Sequence, residues 1–308
     1  MAEIGTNSIK AWILAARPKT LSGAAVPVIV ALTKAWADTD SIVWIPAVLC
    51  LLFALVMQID ANFVNDYFDC IKGVDGKDRL GPERACAQGW VTLPAMRWMI
   101  AATTLLAAAT GLPLIHWGGM EMICIGIACI IFCFLYTTLL SRIGMGDLLV
   151  LVFFGIVPVC ATYYLQTRYV TADIVLLSLS CGLVTDCLLV VNNYRDRDTD
   201  RKAGKRTLVT LIGEKATEKL YLGLAILALL LTLPVLQWAA FLIIVWLFVA
   251  HIPTWRYMKM VNHGRALNEI LGMTAKNIAV FGIFLAFSIF FLRAYTAIIT
   301  ITEELNNL

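Results

Sequence analysis

Charge is scarce in this sequence. Asp, Glu, Lys and Arg together make up 15% of the 308 residues, whereas 60% are hydrophobic and the mean hydropathy is +0.83. That composition excludes an ordinary water-soluble globule, in which about a quarter of the residues are charged. C-x-x-C spacing is also missing from the nine cysteines, and most of them, such as Cys124, Cys129, Cys133, Cys181 and Cys187, lie inside apolar runs. Their absence from any paired pattern argues against a thiolate metal site or a disulfide framework, and for small packing residues. Nor does a small-residue cleavage site follow the first apolar stretch, which Arg17, Pro18 and Lys19 interrupt. The first span is therefore expected to be retained as a helix.

What the chain does have is apolar runs from end to end, each close to the roughly 20 residues that cross a bilayer as a helix. Nine are read: 21–36, 42–64, 98–115, 120–140, 146–166, 172–193, 219–236, 238–252 and 274–292. The seventh and eighth are nearly continuous, with only Pro234 and Gln237 between them. Lys and Arg settle the parity. Nine spans place 21 of them on one side and leave Lys34, Arg168 and Arg293 on the other, whereas fusing the doubtful pair would move Arg256, Lys259, Arg265 and Lys276 to the wrong face. The sequence thus predicts an all-α integral membrane protein of nine transmembrane helices in a single domain, with a cytoplasmic N-terminus and the C-terminus opposite. Its basic residues would meet anionic lipid headgroups, so the net charge of +3 implies no nucleic-acid partner.

The pattern N-[DN]-Y-x-D occurs twice, as Asn65-Asp66-Tyr67-Phe68-Asp69 and Asn192-Asn193-Tyr194-Arg195-Asp196, each at the cytoplasmic end of an even-numbered span. That echo suggests two four-helix halves, about 10–140 and 141–252, plus a ninth helix at 274–292. On a helix, Asn65 and Asp69 share a face, as do Asn192, Asp196 and Asp200, while Asp198 points away. Asp66 and Asp75 are possible partners of the first group.

Acids clustered at the edge of a low-dielectric region need a cation. A few hard oxygen ligands completed by phosphate and water suit Mg²⁺ better than zinc or caged calcium. An EF-hand reading of Asp196-x-Asp198-x-Asp200 fails, because Arg201 stands where glycine is needed and Thr207 where a bidentate Glu is needed. Lys72, Lys77, Arg79 and Arg84 follow the first motif, and Arg201, Lys202, Lys205 and Arg206 follow the second. Acids for metal alternating with cations for phosphate is the arrangement a metal-bound polyphosphate requires. Facing a helix bundle, it points to a ligand with a diphosphate head and an apolar tail, a polyprenyl diphosphate.

These motifs resemble the UbiA superfamily of intramembrane aromatic prenyltransferases over nearly the whole chain. Within it the likeness is to the 1,4-dihydroxy-2-naphthoate polyprenyltransferases. The matching stretches are Arg17-Pro18-Lys19-Thr20-Leu21, the first motif with Gly73-x-Asp75, Gly81-Pro82-x-Arg84, Gly146-Asp147-Leu148, Phe153-Phe154-Gly155, and the second motif with Gly204-Lys205-Arg206-Thr207-Leu208. Trp90, after Gly89, is bulkier than the resemblance leads one to expect. The resemblance implies nine helices around a central cavity and two Mg²⁺ ions under the diphosphate. It also implies transfer of a prenyl chain to the ring carbon bearing the acceptor carboxylate, with loss of CO₂ to give demethylmenaquinone.

Asp69, Asp196 and Asp200 are the expected catalytic acids. With Asn65, Asp66, Asp75 and Asn192 they are the expected metal ligands. Asn65, Lys72, Arg79, Arg84, Asn192, Lys205 and Arg206 are expected to hold the diphosphate, and Arg17, Lys19, Tyr136 and Arg142 the aromatic acceptor. Three alternatives stay open: another UbiA-type acceptor such as 4-hydroxybenzoate, homogentisate or a porphyrin; a cation transporter; and a CDP-alcohol phosphotransferase, whose D-G-x-x-A-R run is absent near either motif.

Overall fold

The structure, a computed structural model, describes residues 4–73 and 79–307. Asp75 and Lys77, both singled out in the first loop, lie outside the described residues. A short helix, α1 (Ile9–Ala16), is capped by Ser8, whose Oγ accepts the Ala11 N–H at 3.3 Å. The chain turns at Arg17, which adopts a left-handed φ of 52°, and enters α2 (Leu21–Thr39). There follow α3 (Trp44–Ile71), α4 (Leu93–Gly118), α5 (Glu121–Thr138), α6 (Gly146–Thr167) and α7 (Ala172–Lys202). The series ends with α8 (Glu214–Leu236), α9 (residues 241–261) and α10 (Leu267–Asn306).

Eight helical stretches among the described residues are long and apolar enough to cross a membrane, where nine separate spans were expected. The difference lies in Glu214–Val261, a single stretch of 48 residues containing both the seventh and the eighth expected spans. It is folded back on itself. Gln237 breaks the helix at φ 51° and ψ −127°, and α9 then returns along α8. The Trp255 Nε1–H donates to the Glu218 carbonyl at 2.7 Å, His251 Nε2 meets the Tyr221 carbonyl at 3.1 Å, and Asn262 Nδ2 donates to Glu214 at 2.7 Å. His251 is thereby a core residue, buried and stacked on Tyr221.

Long α7 is the most enclosed helix of the bundle, and α5 the least. Close packing of α6 on α7 depends on Gly155 and Gly182. A Cβ on Gly155 would lie 2.5 Å from the Ser178 carbonyl oxygen, so no other residue fits there. The same stretch of α6 contains a π-turn, Val152–Ile156. Its wider winding lets two consecutive residues, Phe153 and Phe154, both face the interior.

The bundle encloses a cavity of about 1060 Å³ that runs down one face of α3, from Asp69 through Asn65, Asn62, Gln58 and Phe53 to Cys50. At 1.5 Å per residue that stripe is about 28 Å long, close to the thickness of a bilayer's hydrocarbon core. Polar side chains gather at the motif end, and Val28, Leu114, Met122 and Leu165 line the deep end. One face of α5 closes the side of the cavity, while its Ile127, Ile131 and Leu135 point outward and are exposed.

Candidate active site

Both motifs end long helices that face the same cavity, and this brings Asn65 and Asp69 of α3 together with Asn192, Asp196 and Asp200 of α7 at its mouth. Helical periodicity accounts for the selection, since the five occupy two facing stripes. Asp198 points away, with its side chain half exposed and paired to Arg201 and His263 at 3.8 Å each.

Each acid is held by a cation. The Arg84 guanidinium donates to Asp69 Oδ2 at 3.2 Å, and Lys205 Nζ lies 3.3 Å from Asp200 Oδ2. Arg195, only 2% exposed, makes the densest set of contacts. It donates to both oxygens of Asp196 at 2.8 and 2.5 Å, to Asn192 Oδ1 at 2.9 Å and to Asn268 Oδ1 at 3.0 Å. Asn268 in turn donates from Nδ2 to the Leu80 carbonyl at 2.8 Å, so α10 and the first loop are both tied to the second motif. Gly81 permits that approach, because a Cβ there would stand 2.7 Å from Arg195 Nη2. Sequence reasoning did not place Arg195 in the site. Its one signal was a guanidinium between the Asn and Asp of a motif otherwise read as metal-binding.

Three expected site residues lie elsewhere. Asp66, 1% exposed, does not line the cavity and instead accepts the Ala85 and Cys86 N–H groups at 3.0 Å each, pinning the loop that carries Arg79 and Arg84. Lys72 is exposed at the end of α3 and donates to the Thr137 and Thr138 carbonyls at 3.4 and 3.3 Å, completing the C-terminus of α5. Partial desolvation, followed by the nearby Arg142 guanidinium, holds its ammonium below the usual lysine range. Arg206 is exposed, and only its backbone N–H is engaged, by the Arg142 carbonyl at 2.9 Å. Arg79, Arg84, Lys205, Arg17, Lys19, Tyr136 and Arg142 do line the cavity, together with Trp90 of the first loop.

The placement of Asp66 carries a testable consequence. Asp66→Asn removes one of two acceptors facing buried N–H groups, which costs about 1–3 kcal/mol. Thermal unfolding of the variant is expected at lower temperature and its diphosphate KM to rise, with an unchanged Mg²⁺ requirement. A variant needing much more Mg²⁺ at unchanged stability would return Asp66 to the metal ligands.

The donor set also bears on a metal. Among the described residues no three His, Cys, Asp or Glu side chains converge closely enough to hold an ion by themselves. The acids are instead divided between two helices, with amide oxygens beside them. An ion at such a site completes its shell from ligand oxygens and water, the habit of Mg²⁺ on phosphates rather than of zinc or a caged calcium. The residues fit Mg²⁺ bound together with a diphosphate.

Residues 24–270 match the UbiA prenyltransferase family. The 1,4-dihydroxy-2-naphthoate octaprenyltransferase of Escherichia coli (strain K12) is 36% identical over 225 residues, 70% of this chain and 72% of that one. The enzyme of that name from Mycobacterium tuberculosis is 37% identical over 228 residues, 73% of this chain and 77% of its own. Among solved structures, a UbiA homolog from Aeropyrum pernix K1 superposes with a TM-score of 0.65 at 16% identity, covering 86% of this chain and 96% of that one. A UbiA homolog from Archaeoglobus fulgidus bound to DMAPP and Mg²⁺ gives 0.58 at 14% identity, covering 89% and 98%. Facing acid motifs, a bilayer-deep cavity and these likenesses agree: the chain is an integral membrane protein of the UbiA prenyltransferase family.

Proposed function

We propose that the chain transfers a polyprenyl group from its diphosphate to 1,4-dihydroxy-2-naphthoate with loss of CO₂, giving demethylmenaquinone in its reduced, quinol form for menaquinone biosynthesis. The observation that carries this reading is the polarity of one cavity about 28 Å long, with acids and cations at its mouth and apolar residues such as Val28, Leu114, Met122 and Leu165 at its deep end. Such a shape takes a charged head and a long tail in one orientation. The relatives at 36% and 37% identity support the choice of acceptor.

In this reading Asn65, Asp69, Asn192, Asp196 and Asp200 hold Mg²⁺, which when bound neutralises the diphosphate and stabilises it as a leaving group. Arg79, Arg84 and Lys205 hold the phosphate oxygens, and Arg195 fixes the orientation of Asn192 and Asp196 from behind. The apolar walls keep water from the allylic cation formed when the C–O bond breaks. Phe132 and Phe153, with ring centroids 5.2 Å apart, and Phe154 line the cavity wall, where aromatic rings stabilise such a cation. Arg17 and Lys19 receive the acceptor carboxylate at the mouth, and Tyr136 and Arg142 flank the ring. The 21-to-3 division of Lys and Arg supports a cytoplasmic mouth and N-terminus in a plasma or inner membrane, with the C-terminus opposite.

Purified protein in nanodiscs, given a polyprenyl diphosphate and a choice of dihydroxynaphthoate, 4-hydroxybenzoate and homogentisate, is expected to form the prenylated, decarboxylated naphthalenediol. EDTA abolishes the reaction and added Mg²⁺ restores it. Product from only one of the other acceptors overturns the assignment.

A further inference from the structure

A carboxylate of the cavity wall, Asp147, belongs to neither motif. Asp147 stands in the first turn of α6 and lines the cavity, and its Oδ1 is buried without a hydrogen-bond partner. Its depth is set by its neighbours. A Cβ on adjacent Gly146 would lie 3.2 Å from Leu189 of α7 and 3.7 Å from the Tyr136 ring. Leu189 is three residues, about 4.5 Å of helix, before Asn192, so the start of α6 packs on α7 just inside the second motif.

The same wall carries further unpartnered oxygens. Thr185, 5% exposed, lines the cavity, and its Oγ1 is buried without a partner. Behind it Asp186, also 5% exposed, has an unpartnered Oδ1 and lies within electrostatic range of Asp147. Buried oxygens of this kind are costly unless a donor meets them, and native interiors rarely leave them so. A ring bearing hydroxyl groups brings such donors. The titratable and charged groups around Asp147 are Tyr136 from α5, Asp186 from α7 and, five residues earlier at the mouth, Arg142.

We propose that Asp147 is the base of the acceptor site, taking the proton of the ring hydroxyl next to the carbon that is prenylated and returning it after CO₂ has left. This rests on the dihydroxynaphthoate reading of the site. The ring carbon bearing the carboxylate gives its electron pair to the allylic carbon as the C–O bond to diphosphate breaks. Loss of the hydroxyl proton to Asp147 leaves a neutral ketone at the neighbouring carbon. The bond to the carboxylate then breaks, CO₂ departs, and its electron pair restores the aromatic ring as a phenolate, which recovers the proton from Asp147. Diphosphate, CO₂ and the prenylated diol are the only products, and the base ends as it began. A carboxylate shielded from water suits a proton that must be kept for return.

Two variants of the full chain test this. Asp147→Asn is expected to lower kcat at least about 100-fold, within the range for a lost general base. Its KM for prenyl diphosphate and its Mg²⁺ requirement stay within about twofold of wild type. Turnover of the variant climbs about tenfold per pH unit as the acceptor hydroxyl ionises unaided, while wild type stays flat. In Asp147→Ala, formate restores turnover at least about tenfold and chloride does not. No pH rise and no formate rescue, or an Asn variant within about fivefold of wild-type kcat, overturns the assignment. Wild type run alongside separates the failures, since absence of a dihydroxynaphthoate product from wild type overturns the acceptor reading itself.

Discussion

Replacing Asp196 with Asn is expected to lower turnover by about three orders of magnitude, and Asp69→Asn to do the same. Both carboxylates face the cavity mouth, each against a guanidinium, and both are the hard anionic oxygens available to a divalent ion. An isosteric amide keeps the shape and removes the charge. A metal's electrostatic stabilisation of a leaving group is worth several kcal/mol, and about 1.36 kcal/mol is a factor of ten, so losing most of one ligand's share gives about 10³. The measurement is initial rate over a Mg²⁺ titration, with prenylated product quantified by mass. Higher Mg²⁺ is expected to recover part of the rate without restoring it. Both variants turning over at the wild-type rate in EDTA would remove the metal from the mechanism.

Arg195→Lys ranks second. One guanidinium bridges Asp196, Asn192 and Asn268 together, a geometry that the point charge of an ammonium cannot reproduce. Each hydrogen bond to a charged group that the ammonium fails to remake is worth about 1.5–3 kcal/mol. Part of that cost falls on stability, because Asn268 also holds the first loop through the Leu80 carbonyl. The rest falls on the orientation of Asn192 and Asp196, so kcat is expected to drop about 100-fold, at about 1.36 kcal/mol per factor of ten. A lysine variant with normal kcat and only a lower unfolding temperature would reduce Arg195 to a structural tie. Asn268→Ala distinguishes the two contributions, since it frees the loop and leaves the Asp196 pair in place.

Periodicity and charge made part of this site readable in advance. Spacing of four residues put Asn65 with Asp69, and Asn192 with Asp196 and Asp200, because helical geometry is local and needs no knowledge of neighbours. The place of Asp66 is not legible for the complementary reason. It sits one step round the helix from the stripe, and its role depends on two backbone N–H groups from residues 85 and 86 that only the folded loop brings near. That Arg206 and Lys72 fall outside the cavity lining is not legible either, because counting cations assigns a face of the membrane and not the direction of a side chain. Arg195 was passed over because its partners include Asn268, seventy-three residues away. Hydropathy located every apolar stretch, yet the reversal at Gln237 is visible only in the backbone torsions and in the contacts between α8 and α9.

The thin wall at α5 bears on how the products leave. A single helix, with cavity on one side and exposed Ile127, Ile131 and Leu135 on the other, separates the tail channel from the surroundings. In the proposed reaction the acceptor arrives as an anion and leaves without its carboxylate, as an uncharged, long-tailed diol. In that reaction its two larger products would divide by phase: diphosphate is soluble in water beyond the charged mouth, while the diol has lost the one group that tied it there and is soluble in the bilayer beyond α5.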